Sequence, residues 1–476
     1  MNLYIHNHKY HYEMENLTRA FYFADDVKVI HEYDEPKEPY ILTSVAACVS
    51  VEARINGFVD VQCAPIGGDD ELTMARLLYA VLSRATGREL PWGILTGVRP
   101  VKLFSTLVQQ DGEEAAKHYF RDTLLVSEEK TALAAQVAAN QHAIIARSGK
   151  RSFSLYVSIP FCPTRCNYCS FVSQSIEKAK KLIDDYLPLL LYEISYTADL
   201  AKDLDLRLES VYIGGGTPTT LSAEQLDALL TEIETDFDLT RCAEFTVEAG
   251  RPDTVTREKL FALKRHAVTR ISINPQTFSD AVLETIGRKH TAQQTLDAFR
   301  LARELGFDNI NMDLIAGLTS DTPESFRRTI DTVRALDPES VTVHTLAVKR
   351  SARVNAADAT REHGYTAEML DYAARELTDG GWQPYYLYRQ SKMLSNLENV
   401  GWAKPGCFSP YNVYIMEETH SILACGAGAV TKLRDTASNH LERIFNFKFP
   451  YEYISRFDEL IARKDRVKTF YEEYNG

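Results

Sequence analysis

From residue 153 onward, short apolar runs alternate with longer amphipathic stretches. Six runs rich in β-branched or aromatic residues stand out: FSLYVSIPF, ESVYIGGG, EFTVEA, TRISINP, NINMDLIAGL and SVTVHTLAV. Each is followed by a stretch of helical period, over about 176–204, 222–236, 254–266, 279–305, 322–336 and 366–380. Strands alternating with helices predict βαβ units on a parallel sheet, an α/β fold. Crossovers of one hand curl such units toward a barrel. Eight would close it; six predict an open, partial (β/α)6 TIM-like barrel. Helix starts agree with this pattern. Ser222 precedes AEQLDALL with Gln225 three residues on, a capping box, and Thr322-Pro323 puts proline at a first helical position.

The flanks read differently. Within the first 60 or so residues, PYILTSVAACVSVEARI predicts a small sheet. Residues 71–89 predict a helix with Leu72, Ala75, Leu78 and Leu82 on one face. A turn-rich break, PWGILTGVRP at 91–100, separates it from an alanine-rich helix over 127–147. After about 382 the alternation stops, and a tyrosine- and turn-rich region closes with an amphipathic helix near 451–464. The expected organisation is an N-terminal α+β accessory domain (1–150), the barrel (151–381), and a C-terminal α+β region (382–476) that caps the substrate side.

Composition narrows the classes. A net charge of −13 argues against a sequence-independent grip on nucleic acid, which needs a basic footprint. The polar start carries no apolar signal core, and no run of 18 apolar residues predicts a membrane span. Five of the eight cysteines are scattered, unlike a disulfide framework, so a cytoplasmic, reducing location is expected.

The other three are not scattered. Cys162, Cys166 and Cys169 fall within eight positions directly after the first barrel run. Thiolates suit zinc or iron–sulfur chemistry. A structural zinc site takes four ligands, and no second cysteine pair or His-x3–5-His accompanies these three. A [4Fe–4S] cube normally takes four cysteines as well; three leave one iron open. Chance placement and a zinc site remain the competing readings of the spacing.

The segment Leu155–Phe171, LYVSIPFCPTRCNYCSF, resembles the cluster loop of the radical S-adenosylmethionine (SAM) superfamily. It is similar above all to the oxygen-independent coproporphyrinogen III oxidase (dehydrogenase) family, in a subgroup with an extra N-terminal domain. The resemblance is strong from 153 to 350. It extends more loosely to 91–103, 384–406 and 416–432. It implies a [4Fe–4S] cluster on Cys162, Cys166 and Cys169, with SAM filling the open iron. It also implies SAM contacts at Tyr156, Tyr168, Gly215, Gly216, Thr217, Glu248, Gln276, Arg288, Asp313 and Ala347. Tyr156, Glu248 and Arg288 are the expected catalytic residues. Independent chemistry agrees: GGGTPT at 214–219 frees backbone N–H groups for an anionic ligand. Glu248 and Asp313 are carboxylates inside apolar strands, costly unless they meet a partner. Arg288 suits a carboxylate. Taken singly, each also fits a satisfied polar residue of a barrel core; jointly, at successive strand ends, they mark a site.

The resemblance further implies electron transfer from the reduced cluster into the SAM sulfonium and hydrogen abstraction from coproporphyrinogen III. Two propionates become vinyls with loss of carbon dioxide, giving protoporphyrinogen IX. A flavodoxin- or ferredoxin-like electron donor, an electron acceptor and a tetrapyrrole are then the expected partners. Arg165, Lys349, Arg350, Arg353, Arg389, Lys392 and Lys404 are candidate cations for the substrate carboxylates. Phe161, Tyr168 and Phe171 are expected to keep water from the cluster. The sequence departs from the family pattern in three places: Ser158 for a histidine, Ser170 after Cys169, and Asn274-Pro275 before Gln276. Another haem-acting radical enzyme, by methyl transfer or ring opening, and a haem-binding chaperone on the same scaffold are the alternative functions. A tRNA methylthiotransferase would need further cysteines and a basic module.

Overall fold

The computed structural model describes residues 1–23, 26–171, 173–347, 363–390 and 396–475. Lys349, Arg350, Arg353 and Lys392, four of the candidate cations, lie outside the described residues, as does Val348 at the end of the sixth run.

Six parallel strands form the centre: Ser152–Ile159, Arg207–Gly215, Glu244–Glu248, Arg270–Ser272, Ile310–Ala316 and Ser340–Thr345. They pair in that order, each with the next. Side chains alternate between two faces with period two. One face is wholly apolar and buried: Leu155, Val157, Ile159, Val211, Ile213, Phe245, Val247, Ile271, Met312, Leu314 and Val341 pack under the helices. The other face is polar. Register places Ser154 beside Ser210, Tyr156 beside Tyr212 and Ser158 beside Gly214. Thr246, Glu248, Ser272, Asn311, Asp313 and Thr342 continue this inner face. Polar positions inside a barrel need partners or a ligand, and the inner face supplies both the hydrogen bonds and the site described below.

The sheet does not close. Asn399–Ala403 adds antiparallel to the sixth strand, and Gln383–Tyr388 adds to that. At the other edge Ser421–Cys425 pairs in parallel with the first strand, followed by Val430–Arg434 and Leu441–Phe445. The result is one open sheet of eleven strands. The stretch after 382, read as a separate region, is thus continuous with the barrel sheet at both edges. Every residue of Asn399–Ala403 and Ser421–Cys425 is buried, because both faces of these strands are covered.

The capping chemistry is as read. Ser222 and Gln225 form a reciprocal capping box on helix Ala223–Asp236. Thr322 caps helix Pro323–Leu336 with proline in its first turn. One helix reading is corrected: 279–305 is two helices, Asp280–Thr285 and Ala292–Glu304. Gly287, at φ 77°, turns the chain out of the first. Thr291 and Gln294 then start the second with their own capping box. The segment between them carries Arg288.

At the N-terminus, five strands order as Lys28–Ile30, Asn2–His6, Tyr40–Val45, Val49–Ile55 and Phe58–Ala64. Helices His11–Phe21 and Asp70–Thr86 bury Met14, Leu17, Leu78 and Leu82 in the same core. Helices Pro100–Asp111 and Glu128–Ile145 lead to the first barrel strand.

Candidate active site

Proline 160 ends the first barrel strand, and the loop that follows carries the three thiols. This loop is clasped to the glycine turn after the second strand. Gly216 N–H donates to the Ile159 carbonyl (2.8 Å), and Thr217 N–H donates to the Phe161 carbonyl (2.7 Å). A Cβ on Gly216 would sit 2.6 Å from the Phe161 oxygen and 3.0 Å from Cys162 Sγ. Only glycine permits that approach. Gly215 has φ 102°, and a Cβ there would lie 2.8 Å from Ser158 Oγ. Thr217 Oγ1 donates to Cys162 Sγ at 3.5 Å.

On its other side the loop is pinned by the segment that breaks the long helix. Asn167 N–H donates to the Ile286 carbonyl (3.0 Å) and Asn167 Nδ2 to the Thr285 carbonyl (3.0 Å). This brings Arg288 to the thiols. Arg288 Nη1 donates to the Asn274 carbonyl (2.7 Å). Burial works against its charge, but Tyr168 and the Cys166 thiol outweigh that and hold its pKa above the ordinary value. Its Nε is buried without a partner. A buried guanidinium N–H left open is expensive in a finished core; it fits a site that awaits an acceptor.

The donor set fits an iron–sulfur cluster. Cys162, Cys166 and Cys169 are all free thiols on one loop, and soft sulfur donors of this kind suit iron–sulfur chemistry. Burial pushes the Cys169 thiol up to about 11; a backbone hydrogen bond at Phe171 opposes the rise, and the Cys166 and Cys162 thiols add to it. Such a thiol becomes a thiolate when a metal takes the place of its proton.

The inner barrel face continues the site. Tyr212 donates its hydroxyl to Glu248 Oε1 at 2.5 Å. Burial raises the Glu248 carboxyl to about 7, the Asp313 charge adds to the rise, and the Tyr212 hydrogen bond opposes it. Asp313 Oδ1 accepts from Asn311 Nδ2 (2.8 Å) and lies 4.0 Å from His344 Nε2. The Asp313 and His344 side chains keep 23% and 27% of their exposure. Gln276 bridges the fourth and fifth strands: its N–H donates to the Asp313 carbonyl and its carbonyl accepts from Ile315 N–H. It is buried with φ 68°, a left-handed backbone on a non-glycine residue. Tyr156, Tyr212 and Tyr411 stand as three nearly parallel rings, Tyr212 and Tyr411 with centroids 4.4 Å apart and Tyr156 at 6.3 Å from each. Tyr168 packs against the apolar cluster formed by Val282, Leu283, Ile286, Ile315, Leu318 and Leu346. Ala347 follows the sixth strand, one residue past Leu346, whose N–H donates to the Ala316 carbonyl.

Two substrate-side expectations and one about shielding the cluster are corrected. Arg389 is buried, its guanidinium held by the Leu95, Gly97 and Asn396 carbonyls and lying over Trp92. Lys404 pairs with Asp337 and lies over Trp382. Phe171 is 66% exposed and shields nothing, whereas Phe161 is fully buried. Arg165 lies exposed on the cluster loop. Ser158, in place of the histidine, donates to the Ala427 carbonyl at 2.9 Å. Tyr212, Tyr411, His344 and Arg251 belong to the site but were not singled out from the sequence. Tyr212 was within reach, since it stands two positions before Gly214 on the same strand face. Tyr411 was not, because helix Pro410–Glu417 reaches the barrel only through tertiary packing.

The radical SAM superfamily model matches residues 156–333. The chain is 35% identical to oxygen-independent coproporphyrinogen-III oxidase-like protein HemZ of Bacillus subtilis (strain 168), over 97% of this chain and 96% of that protein. It is 34% identical to heme chaperone HemW of the same organism, over 63% of this chain and 77% of that protein. The solved structure of coproporphyrinogen III oxidase (HemN) from Escherichia coli, a radical SAM enzyme, superposes with a TM-score of 0.52 at 26% identity, covering 68% of this chain and 72% of that one. With three thiols clasped to a glycine turn and a polar barrel interior facing them, this chain belongs to the radical SAM superfamily and, within it, to the oxygen-independent coproporphyrinogen III oxidase-like proteins.

Proposed function

We propose that this protein converts coproporphyrinogen III to protoporphyrinogen IX without oxygen, by oxidative decarboxylation of two propionates. The observation that carries the reading is the partnerless Arg288 Nε beside Cys166, on the same interior as Glu248 and Asp313. The full-length likeness to a coproporphyrinogen oxidase-like protein supports the choice of substrate. Cys162, Cys166 and Cys169 would hold a [4Fe–4S] cluster, and together with SAM it would supply one-electron radical chemistry.

The chain's own residues bind and orient. Gly215, Gly216 and Thr217 would border SAM; the Gly216 and Thr217 N–H groups are already held by the cluster loop, so the turn contributes close approach and not free donors. Arg288 takes the methionyl carboxylate on its open N–H. Glu248, Gln276 and Asp313 would accept from or pair with the ammonium and ribose hydroxyls. Tyr156 would offer an aromatic face to the sulfonium, and Tyr168 and Ala347 would help hold SAM. The stacked Tyr156, Tyr212 and Tyr411 rings exclude water from the interior. Each propionate loses a hydrogen atom, carbon dioxide and one electron to become a vinyl. A flavodoxin- or ferredoxin-like donor and a separate acceptor complete the balance. We assign the protein to the cytoplasm, residues 1–150 to an accessory domain, 151–381 to the catalytic barrel, and 382–476 to capping the substrate.

Anaerobic reconstitution with iron, sulfide, SAM and a reductant tests this by mass spectrometry. The expected products are 5′-deoxyadenosine and a porphyrinogen that has lost two molecules of carbon dioxide. SAM cleavage with intact coproporphyrinogen overturns the assigned substrate. The likeness to heme chaperone HemW favours a second reading, haem binding and transfer. Bound haem that passes to an acceptor protein, with no decarboxylation, supports that one.

A further inference from the structure

Cys166 is the most buried of the three thiols. Two arginines approach it: Arg288, and Arg251 from the end of the third barrel strand. Arg251 is 3% exposed. Its Nη1 donates to Cys166 Sγ at 3.9 Å and to Thr164 Oγ1 at 3.1 Å, both on the cluster loop. The opposite edge of the guanidinium is locked by Asp253, with Nε to Oδ1 at 2.9 Å and Nη2 to Oδ2 at 2.8 Å. This is the planar fork that only arginine offers. Asp253 itself is fixed two residues on, at the start of a short turn closed by Thr254 on the Arg251 carbonyl. Cys162 meets a threonine hydroxyl, and Cys169 a backbone N–H with the Arg288 charge nearby, but neither has an arginine N–H of this locked geometry.

We propose that Arg251 is a positioning residue that tunes the cluster's reduction potential through Cys166. The proposal rests on the three thiols holding the cluster. Reduction adds one negative charge to the cluster and its sulfurs. An N–H donor and a positive charge on a ligand sulfur stabilise the reduced form more than the oxidised form, and burial strengthens the effect. The Asp253 carboxylate sits on the far edge of the guanidinium, further from the sulfur. It therefore aims and partly offsets the charge without cancelling the hydrogen bond. Arg251 thereby makes the cluster easier to reduce, the step on which the one-electron chemistry depends.

The test is a redox titration of the reconstituted protein, followed by electron paramagnetic resonance, without SAM or substrate. Iron and sulfide per chain are measured first. R251Q is expected to keep its iron and lower the ratio of reduced to oxidised cluster at a fixed potential by about tenfold, equivalent to about 59 mV for a one-electron couple. R251K, which keeps the charge and loses the fork, is expected to fall between R251Q and the wild type. D253N, which removes the offsetting charge, is expected to move the potential the other way, upward. A full cluster in R251Q with an unmoved midpoint overturns the proposal. An unmoved or lowered midpoint in D253N overturns it even where R251Q assembles no cluster. A wild-type protein that takes up no cluster at all overturns the assignment of the thiols instead, so the two failures are distinct.

Discussion

Glu248 shows how much one buried carboxyl is asked to bear. Its folded-state pKa lies near 7, raised first by burial, against about 4.3 for a free side chain. The folded protein therefore binds a proton that the unfolded chain releases between these values. Stability from this group is fully present below the unfolded pKa and is lost as pH rises through about 7. At about 1.4 kcal/mol per unit, the loss is on the order of 3 kcal/mol. The melting temperature of cluster-free wild type should fall between pH 5 and 8, and E248Q should flatten that fall; equal slopes in the two proteins would place the shift elsewhere. Gly216 makes a sharper case. A methyl group there meets two backbone carbonyls and Cys162 Sγ, none of which can swing away. G216A is expected to lose most iron uptake while keeping its far-ultraviolet circular dichroism. The cysteines and the glycine turn were legible in the sequence because soft donors and glycine triplets are rare and their chemistry is local. Arg251 was legible in principle, as a charge between Gly250 and Pro252 at a barrel strand's end. Nothing in the spacing revealed that it would meet Cys166, which lies 85 positions earlier.

Periodicity revealed the six strand–helix units, because a two-faced strand and a one-sided helix write themselves into successive residues. It failed where apolar spacing ran on through a break. The stretch 279–305 keeps its helical beat across Ile286, yet Gly287 and the Thr291–Gln294 box divide it. Both signals were in the sequence and were outweighed by the beat. T291A removes one half of that box and leaves a helix N-terminus unsatisfied. It should cost about 1 kcal/mol, read from urea denaturation, with some loosening of the neighbouring Arg288 segment. A change confined to stability, with iron content and SAM affinity intact, would show that the break, and not the cap, positions Arg288. The added edge strands were illegible for another reason. Ser421–Cys425 pairs with Phe153–Val157 across more than 260 residues, and no local pattern records a partner so distant.

At the scale of the molecule, the flanks are tied to the barrel edge by a few buried charges. Glu398 stands just before the strand that pairs with the sixth barrel strand. Its carboxylate takes Lys130 Nζ at 2.6 Å and Trp92 Nε1 at 2.8 Å, both from the N-terminal part of the chain. Its backbone carbonyl takes Thr345 Oγ1 at 2.7 Å, at the end of the sixth strand. The Lys130 and Glu398 side chains are 12% and 3% exposed, so the pair is nearly dry. Burial opposes the Lys130 charge, but Glu398 outweighs it and raises the lysine pKa. A buried pair of this kind adds little net stability over an apolar replacement, yet removing one partner strands the other. K130M should therefore destabilise the protein by about 3–5 kcal/mol, since it leaves a carboxylate with only an indole N–H. K130M combined with E398Q should recover more than half of that loss, because the neutral amide can still accept from Trp92. Thermal melts of the two single variants and the double variant decide the matter. If the double variant is as unstable as K130M, the cost comes from lost packing of the lysine stem and not from the stranded charge, and the tie between N-terminal segment and barrel is one of shape.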